Sequence, residues 1–196
     1  MTIYDIAQEV LSCKVYPGDP APAVQQLAVI GEQGSVYNGT SFSMCSHNGT
    51  HVDAPAHFIK DGKTIGEIPV ETFIGDCYVA RHAGEVTADD VRTMLARAAA
   101  AGAGQRLLIA GPAVLTEDAA RVLVEEKLLL YGNESQTVGP ENAPMAVHLI
   151  LLGAGIVLLE GAVLTDVSEG KYLLNAAPLN LARCEGAPCR AVLLAE

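Results

Sequence analysis

The stretch SHNGTHVDAPAHF, Ser46 to Phe58, sets three histidines and an aspartate in the pattern H-x-x-x-H-x-D-x-x-x-H. The chain has five histidines, and three of them, His47, His51 and His57, fall here. A continuous helix would bring His47 and His51 to one face. Gly49, the β-branched Thr50 and Val52, and Pro55 oppose such a helix. In an extended segment side chains alternate, so His51 and Asp53 share a face. His47 reaches the same point across a turn at Asn48-Gly49, a strong turn dipeptide. His57 follows the break at Ala54-Pro55. Imidazoles and a carboxylate converging without a thiolate form a donor set for Zn²⁺ or Mn²⁺. The competing reading is a polar loop whose histidines are merely hydrogen-bonded.

A second segment, NAPMAVHLILLGAGIVLLEG, runs from Asn142 to Gly161. Pro144 suits the first turn of a helix and Gly153 its C-terminal cap. His148 lies mid-helix, and Glu160 ends the apolar strand GIVLL. A helix packed beside the strand that follows it brings these two near each other. Taken singly, His148 reads as a satisfied core histidine and Glu160 as a strand-end charge facing water. Taken together, they place four of the five histidines in two clusters of candidate ligands. His82 reads as a surface or structural residue.

Around these clusters the sequence alternates helices with short aliphatic runs. Thr87 and Asp90 have capping character before V91-R-T-M-L-A-R, and the helix runs through the alanines to Gly102 and Gly104. A second helix starts at Thr116, with Glu117 and Asp118 where the macrodipole favours acids. Strands are expected at Asp76–Arg81, Arg106–Ala110, Lys127–Tyr131, Gly155–Leu159, Lys171–Asn175 and Cys189–Leu194. Continuous apolar strands between helices imply a sheet covered on both faces. The Gly- and Pro-rich first sixty residues differ, with extended pieces near Gln25–Ile30 and Ser35–Met44. The expected fold is one α/β domain over residues 1–196, with a mixed, partly parallel central sheet and an additional antiparallel β layer.

Composition narrows the function. A chain of 196 residues buries roughly two-thirds of its unfolded surface and needs no disulfide staples. The core must be aliphatic, because Trp is absent and Phe and Tyr are few. A net charge of −11 argues against nucleic acid, which needs clustered Lys and Arg, and against an electrostatic membrane anchor. The N-terminus lacks a signal pattern and no apolar run reaches the ~20 residues of a membrane span, so the expected location is the cytoplasm. Five cysteines without a C-x-x-C read as free thiols in a reducing compartment. Cys45 stands two residues before His47.

SHNGTHVDAPAH resembles the H-x-G-T-H-x-D-x-P-x-H signature of the cyclase-like metal-dependent hydrolases, the family of bacterial kynurenine formamidase. YPGDPAP (Tyr16–Pro22) resembles that family's early Y/W-P-G-D-P turn. TVGPENAPMAVHLILLGAGIVLLEG and PLNLARCEGAPCRAVLL resemble its later segments, so the likeness spans nearly the whole chain. It implies a swivelling β/β/α fold, a homodimer or larger homo-oligomer, and one or two Zn²⁺ per chain, with Mn²⁺ in some relatives. It implies His47, His51 and Asp53 as ligands of a first metal, with Asp53 bridging to a second. His148 would bind that second ion and Glu160 both, while His57 would donate and accept protons. The implied reaction is hydrolysis of a small-molecule amide or formamide by a metal-activated water, N-formylkynurenine of tryptophan catabolism being the leading substrate. Formamidases of the family tend to carry Trp in the early turn. Here Tyr16 takes that place as the candidate substrate-binding residue, able to stack and to offer a hydroxyl. Other readings are hydrolysis of another cyclic amide or lactone, as in isatin hydrolase, and a metal-stabilised binding protein without turnover. A spare imidazole at His57 favours turnover, since a scaffold has no need of it.

Overall fold

Alternation along the aliphatic runs decides where the two faces of the sheet lie. The computed structural model describes residues 1–195. Its strands, in chain order, are β1 (Thr2–Asp5), β2 (Ala23–Ala28), β3 (Gly39–Ser43), β4 (His51–Asp53), β5 (Ile74–Arg81), β6 (Gly84–Val86), β7 (Arg106–Ala110), β8 (Ala113–Leu115), β9 (Leu130–Asn133), β10 (Val157–Glu160), β11 (Gly170–Asn175), β12 (Gly186–Pro188) and β13 (Val192–Ala195). The helices are α1 (Ala88–Ala100), α2 (Glu117–Glu125) and α3 (Met145–Gly153). Nine strands form one mixed sheet in the order β1-β13-β11-β5-β7-β9-β10-β4-β12. Its centre, β5-β7-β9-β10, is parallel, and both flanks are antiparallel. β2 and β3 form a separate antiparallel hairpin, the additional β layer, and β6 and β8 a small parallel pair.

The sheet is curled, and chain length shows why. β12 and β13 are seven places apart in strand order. On a flat sheet that is about 34 Å at ~4.8 Å per strand. Yet only Cys189, Arg190 and Ala191 join them, a reach of about 14 Å when fully extended. The two edges must therefore approach, as in a half-barrel. Inward-facing Cys77, Val79, Leu108, Ala110, Leu130, Val157 and Leu159 fill the curl together with Val52, Leu174 and Leu193. Their alternates Tyr78, Leu107, Ile109, Tyr131 and Leu158 face outward into the layer of α1, α2 and α3.

The expected helices and strands are present with shifts at their ends: the strand expected at Gly155–Leu159 runs Val157–Glu160, and the extended pieces near Gln25–Ile30 and Ser35–Met44 are Ala23–Ala28 and Gly39–Ser43. All three helices close on a left-handed residue with two reversed backbone bonds. Ala103 N–H donates to Ala98, Leu128 to Leu123 and Ile156 to Leu151, at 2.9, 3.2 and 3.1 Å. In α1 that residue is Gly102. In α3 it is Gly155, so Gly153 is the last helical residue and not the cap. In α2 it is Lys127, at φ 55°, so the strand expected at Lys127–Tyr131 starts only at Leu130. The expected strand Cys189–Leu194 is likewise split. Cys189–Ala191 make the crossing between sheet edges, and pairing resumes at Val192. The capping box at Thr87 and Asp90 is formed. The five cysteines are free. No helix among the described residues is long and apolar enough to cross a membrane.

Candidate metal centre

β4 is three residues long and wholly buried between β10 and β12 near the curled end of the sheet. Val52 points into the curl, so His51 and Asp53 point to the opposite, helix-bearing face. Across the antiparallel ladder His51 pairs with Glu160 and Asp53 with Leu158. Residues directly opposite one another lean to the same side, which brings Glu160 beside His51. α3 packs over this face and delivers His148. The Asn48-Gly49 turn is formed, with Gly49 at φ 66°. A Cβ there would lie 2.9 Å from Cys13 Cβ, so glycine is needed for space as well as conformation. The turn sends His47 back over β4. The 3-10 turn Pro55–His57 returns His57 to the same point.

The six residues meet around Asp53. His47 Nδ1 is 2.8 Å from Asp53 Oδ1. His51 Nε2 is 3.3 Å from the same oxygen and 3.5 Å from Glu160 Oε2. His148 Nε2 is 3.1 Å from Glu160 Oε1 and 3.8 Å from Asp53 Oδ2. His57 Nε2 stands 4.0 Å from Asp53 Oδ2. Two groups, His47/Asp53/His57 and His51/Asp53/Glu160, each present ligand atoms within 4.8 Å of one another, with Asp53 common to both.

Backbone contacts fix the orientation of these side chains. His51 Nδ1–H donates to the Gly49 carbonyl at 3.0 Å, and His148 Nδ1–H to the Pro144 carbonyl at 2.8 Å. Each bond sets the tautomer that leaves an Nε2 lone pair facing inward. Val138 N–H donates to Glu160 Oε1 at 2.8 Å. The His47 ring stacks on His57 at 4.0 Å between centroids, and Phe58 stacks on His148 at 4.6 Å.

A cation fits this donor set. His51 Nε2 and Asp53 Oδ2 are fully buried and have no hydrogen-bond partner among the described residues. Such orphaned polar atoms are costly to bury, and here they face the centre of a cluster of nitrogen and carboxylate oxygen donors suited to Zn²⁺ or Mn²⁺. The facing carboxylates also shift the protonation of these histidines. Burial pushes His51 down, but the facing Asp53 and Glu160 carboxylates hold it well above the ordinary histidine value. His47 and His148 are also raised, burial being outweighed by Asp53 for one and by Glu160 for the other. Burial works against Asp53, yet His47 and His51 hold its carboxyl well below its usual range. Among the four histidines of the cluster His57 alone moves down, chiefly through burial.

Tyr16 sits apart from this contact set. Its hydroxyl donates to the Glu141 carbonyl at 3.3 Å, tying the early turn to the loop before α3. His82 Nε2–H donates to the Glu85 carbonyl at 2.9 Å, and its backbone N–H to the Ala110 carbonyl at 3.0 Å, in keeping with a structural residue. Sequence reasoning missed Glu185, which approaches His47 Nε2 at 3.2 Å and accepts from the Ser46 hydroxyl at 2.8 Å. It lies in the quoted CEGAPC segment, but no local spacing links it to a histidine 138 positions away. A groove of about 680 Å³ lies elsewhere, among Val10, Leu11, Phe42 and Leu179, and none of the six residues lines it.

Known proteins share this sequence pattern and fold. A family model described as "Putative cyclase" matches residues 4–140. The chain is 32% identical to kynurenine formamidase of Paracidovorax citrulli (strain AAC00-1), over 97% of this chain and 95% of that protein. Among solved structures, a potential metal-dependent hydrolase with cyclase activity superposes with a TM-score of 0.81 at 27% identity, covering 98% of this chain and 96% of that one. Isatin hydrolase A from Labrenzia aggregata, bound to benzyl benzoate, superposes with a TM-score of 0.82 at 21% identity, covering 98% and 93%, a likeness of fold.

Proposed function

The chain belongs to the cyclase family of metal-dependent hydrolases, and we propose that it cleaves an amide-type C–N bond, with N-formylkynurenine as the leading substrate. The observation that carries the reading is the convergence on Asp53 of three buried donors whose ligand atoms are turned inward, beside one histidine that stays accessible. The His57 side chain is 27% exposed against 1% for His51. The formamide assignment is supported by the 32% identical kynurenine formamidase.

In this reading His47, His51, Asp53, His148 and Glu160 hold Zn²⁺ or Mn²⁺, with Asp53 shared where two ions bind. Asp53 suits that role because its two oxygens face different partners, Oδ1 toward His47 and Oδ2 toward His57 and His148. The bound ion supplies Lewis acidity, lowering the pKa of water toward ~7 and polarising a carbonyl. Burial favours the neutral form of His57. Its Nε2 can take a proton from the attacking water and return it to the leaving amine. Stacking on His47 restrains the ring while it does so. Tyr16, anchored to the loop before α3, is kept in this reading as the candidate substrate-binding residue.

The reading includes assembly of two or more copies. Val24, Leu27 and Phe42 of the β2–β3 hairpin, with Val36 and Tyr37 at its tip, are all more than half exposed, which supports a covered hairpin.

Metal analysis of the purified protein, paired with N-formylkynurenine hydrolysis on the same sample, tests the function. Metal with turnover is expected. Metal without turnover moves the substrate to cyclic amides or lactones. Failure to take up Zn²⁺ or Mn²⁺ overturns the reading.

A further inference from the structure

We infer that Glu185 is a positioning residue for His47, a role that rests on the metal reading above. The His47 ring sits in a slot with three defined sides. One face stacks on His57 at 4.0 Å between centroids. Against another side lies Gly186, where an added Cβ would come within 2.6 Å of His47 Cε1. At the far end Glu185 Oε1 meets His47 Nε2 at 3.2 Å.

Glu185 is itself held firmly. Its Oε1 accepts from the Ser46 hydroxyl at 2.8 Å. Its carbonyl accepts from Ala54 N–H at 2.8 Å, and the next residue, Gly186, pairs with Asp53 in the β12–β4 ladder. The same short ladder therefore anchors both Asp53 and the backbone of Glu185, whose side chain is 41% exposed. With the Nε2 proton donated to Glu185, the Nδ1 lone pair points at Asp53 Oδ1, 2.8 Å away. Two electron-pair donors then converge where a cation belongs. A carboxylate behind a ligating imidazole fixes its tautomer and raises its basicity. His51 and His148 receive the same service from backbone carbonyls. His47, carried on a turn instead of a strand or helix, has a side chain for it.

The test is the Zn²⁺ affinity of the full chain, by competition with a chromophoric chelator, for wild type, Glu185→Ala, Glu185→Gln and Ser46→Ala. Glu185→Ala is expected to weaken binding about 10- to 100-fold. Glu185→Gln, whose amide oxygen can accept the same bond, is expected to restore most of that loss, and Ser46→Ala to weaken binding less than Glu185→Ala. In parallel, nitrogen NMR of the zinc-loaded protein should show the His47 proton on Nε2 and protected from exchange in wild type, with protection lost in Glu185→Ala. Wild-type affinity and a protected proton in Glu185→Ala would overturn the proposal. So would an equal loss in Glu185→Gln and Glu185→Ala, which would make Glu185 a ligand. If Glu185→Ala does not fold, the Glu185→Gln and Ser46→Ala results decide: wild-type affinity in Ser46→Ala with ligand-like loss in Glu185→Gln overturns the role. Absence of Zn²⁺ binding by wild type strikes the metal reading itself, a result separable from any difference among the variants.

Discussion

The β4–β10 corner and the β2–β3 hairpin are opposites. In the first, polar atoms are buried beyond what the protein's own hydrogen bonds satisfy, His51 Nε2 and Asp53 Oδ2 among them. In the second, apolar side chains are exposed beyond what water tolerates cheaply, from Val24 to Phe42. Each is a local conflict between a sequence and its surroundings. A conflict in polarity calls for a counter-charge, and a conflict in apolar area calls for cover.

Asp53→Ala breaks the corner most completely. Metal content and hydrolysis should fall to background together, since this residue stands in both groups of donors; metal analysis and an assay on one sample check it. Full metal content in the variant would show that Asp53 is not shared.

His57→Ala separates chemistry from binding at the same corner. Turnover should fall by roughly 10²–10⁴-fold with metal content unchanged. Loss of metal would instead make His57 a ligand.

pH sharpens the electrostatic side. His47, His51 and His148 are raised in the folded, metal-free protein. A raised histidine stabilises the fold fully below its ordinary value near 6.5 and loses that contribution as pH climbs through the folded value. The melting temperature of metal-free protein should therefore decline from pH 6.5 upward. Zn²⁺ competes with the same protons, so its stabilisation should grow over that interval, with protons released on binding. Melting curves with and without Zn²⁺ at several pH values show whether the two trends diverge.

The smallest expected effect lies in the hairpin. Leu27→Asp with Tyr37→Asp should change chain stability by no more than about 0.5 kcal/mol, while sedimentation shifts toward the monomer. An unchanged mass would mean that this face is not what joins the copies.

How much of this was legible beforehand follows from the range of each interaction. α1 was readable because its cap is three residues across, Thr87 to Asp90, and its ending a glycine. The end of α2 was not, because Lys127 occupies a left-handed position that glycine usually marks. Within the site, His51 and Asp53 were readable from strand alternation, and His148 with Glu160 from a helix followed by a strand. Glu185 was invisible for the opposite reason: β12 reaches β4 only because the sheet curls, and a curl has no local signature.

By itself the sequence determined the donor set, its division between two segments, the aliphatic α/β class and the separate character of the first sixty residues. Those are matters of residue type and short-range periodicity. Tertiary structure alone decided that the two segments meet at one point, that Asp53 stands between them, and that a glutamate from the last strands closes the slot around His47. The reason is the geometry of the sheet. The short crossing from Pro188 to Val192 forces its edges together, and this closure brings into contact residues far apart along the chain, Glu185 and His47 among them.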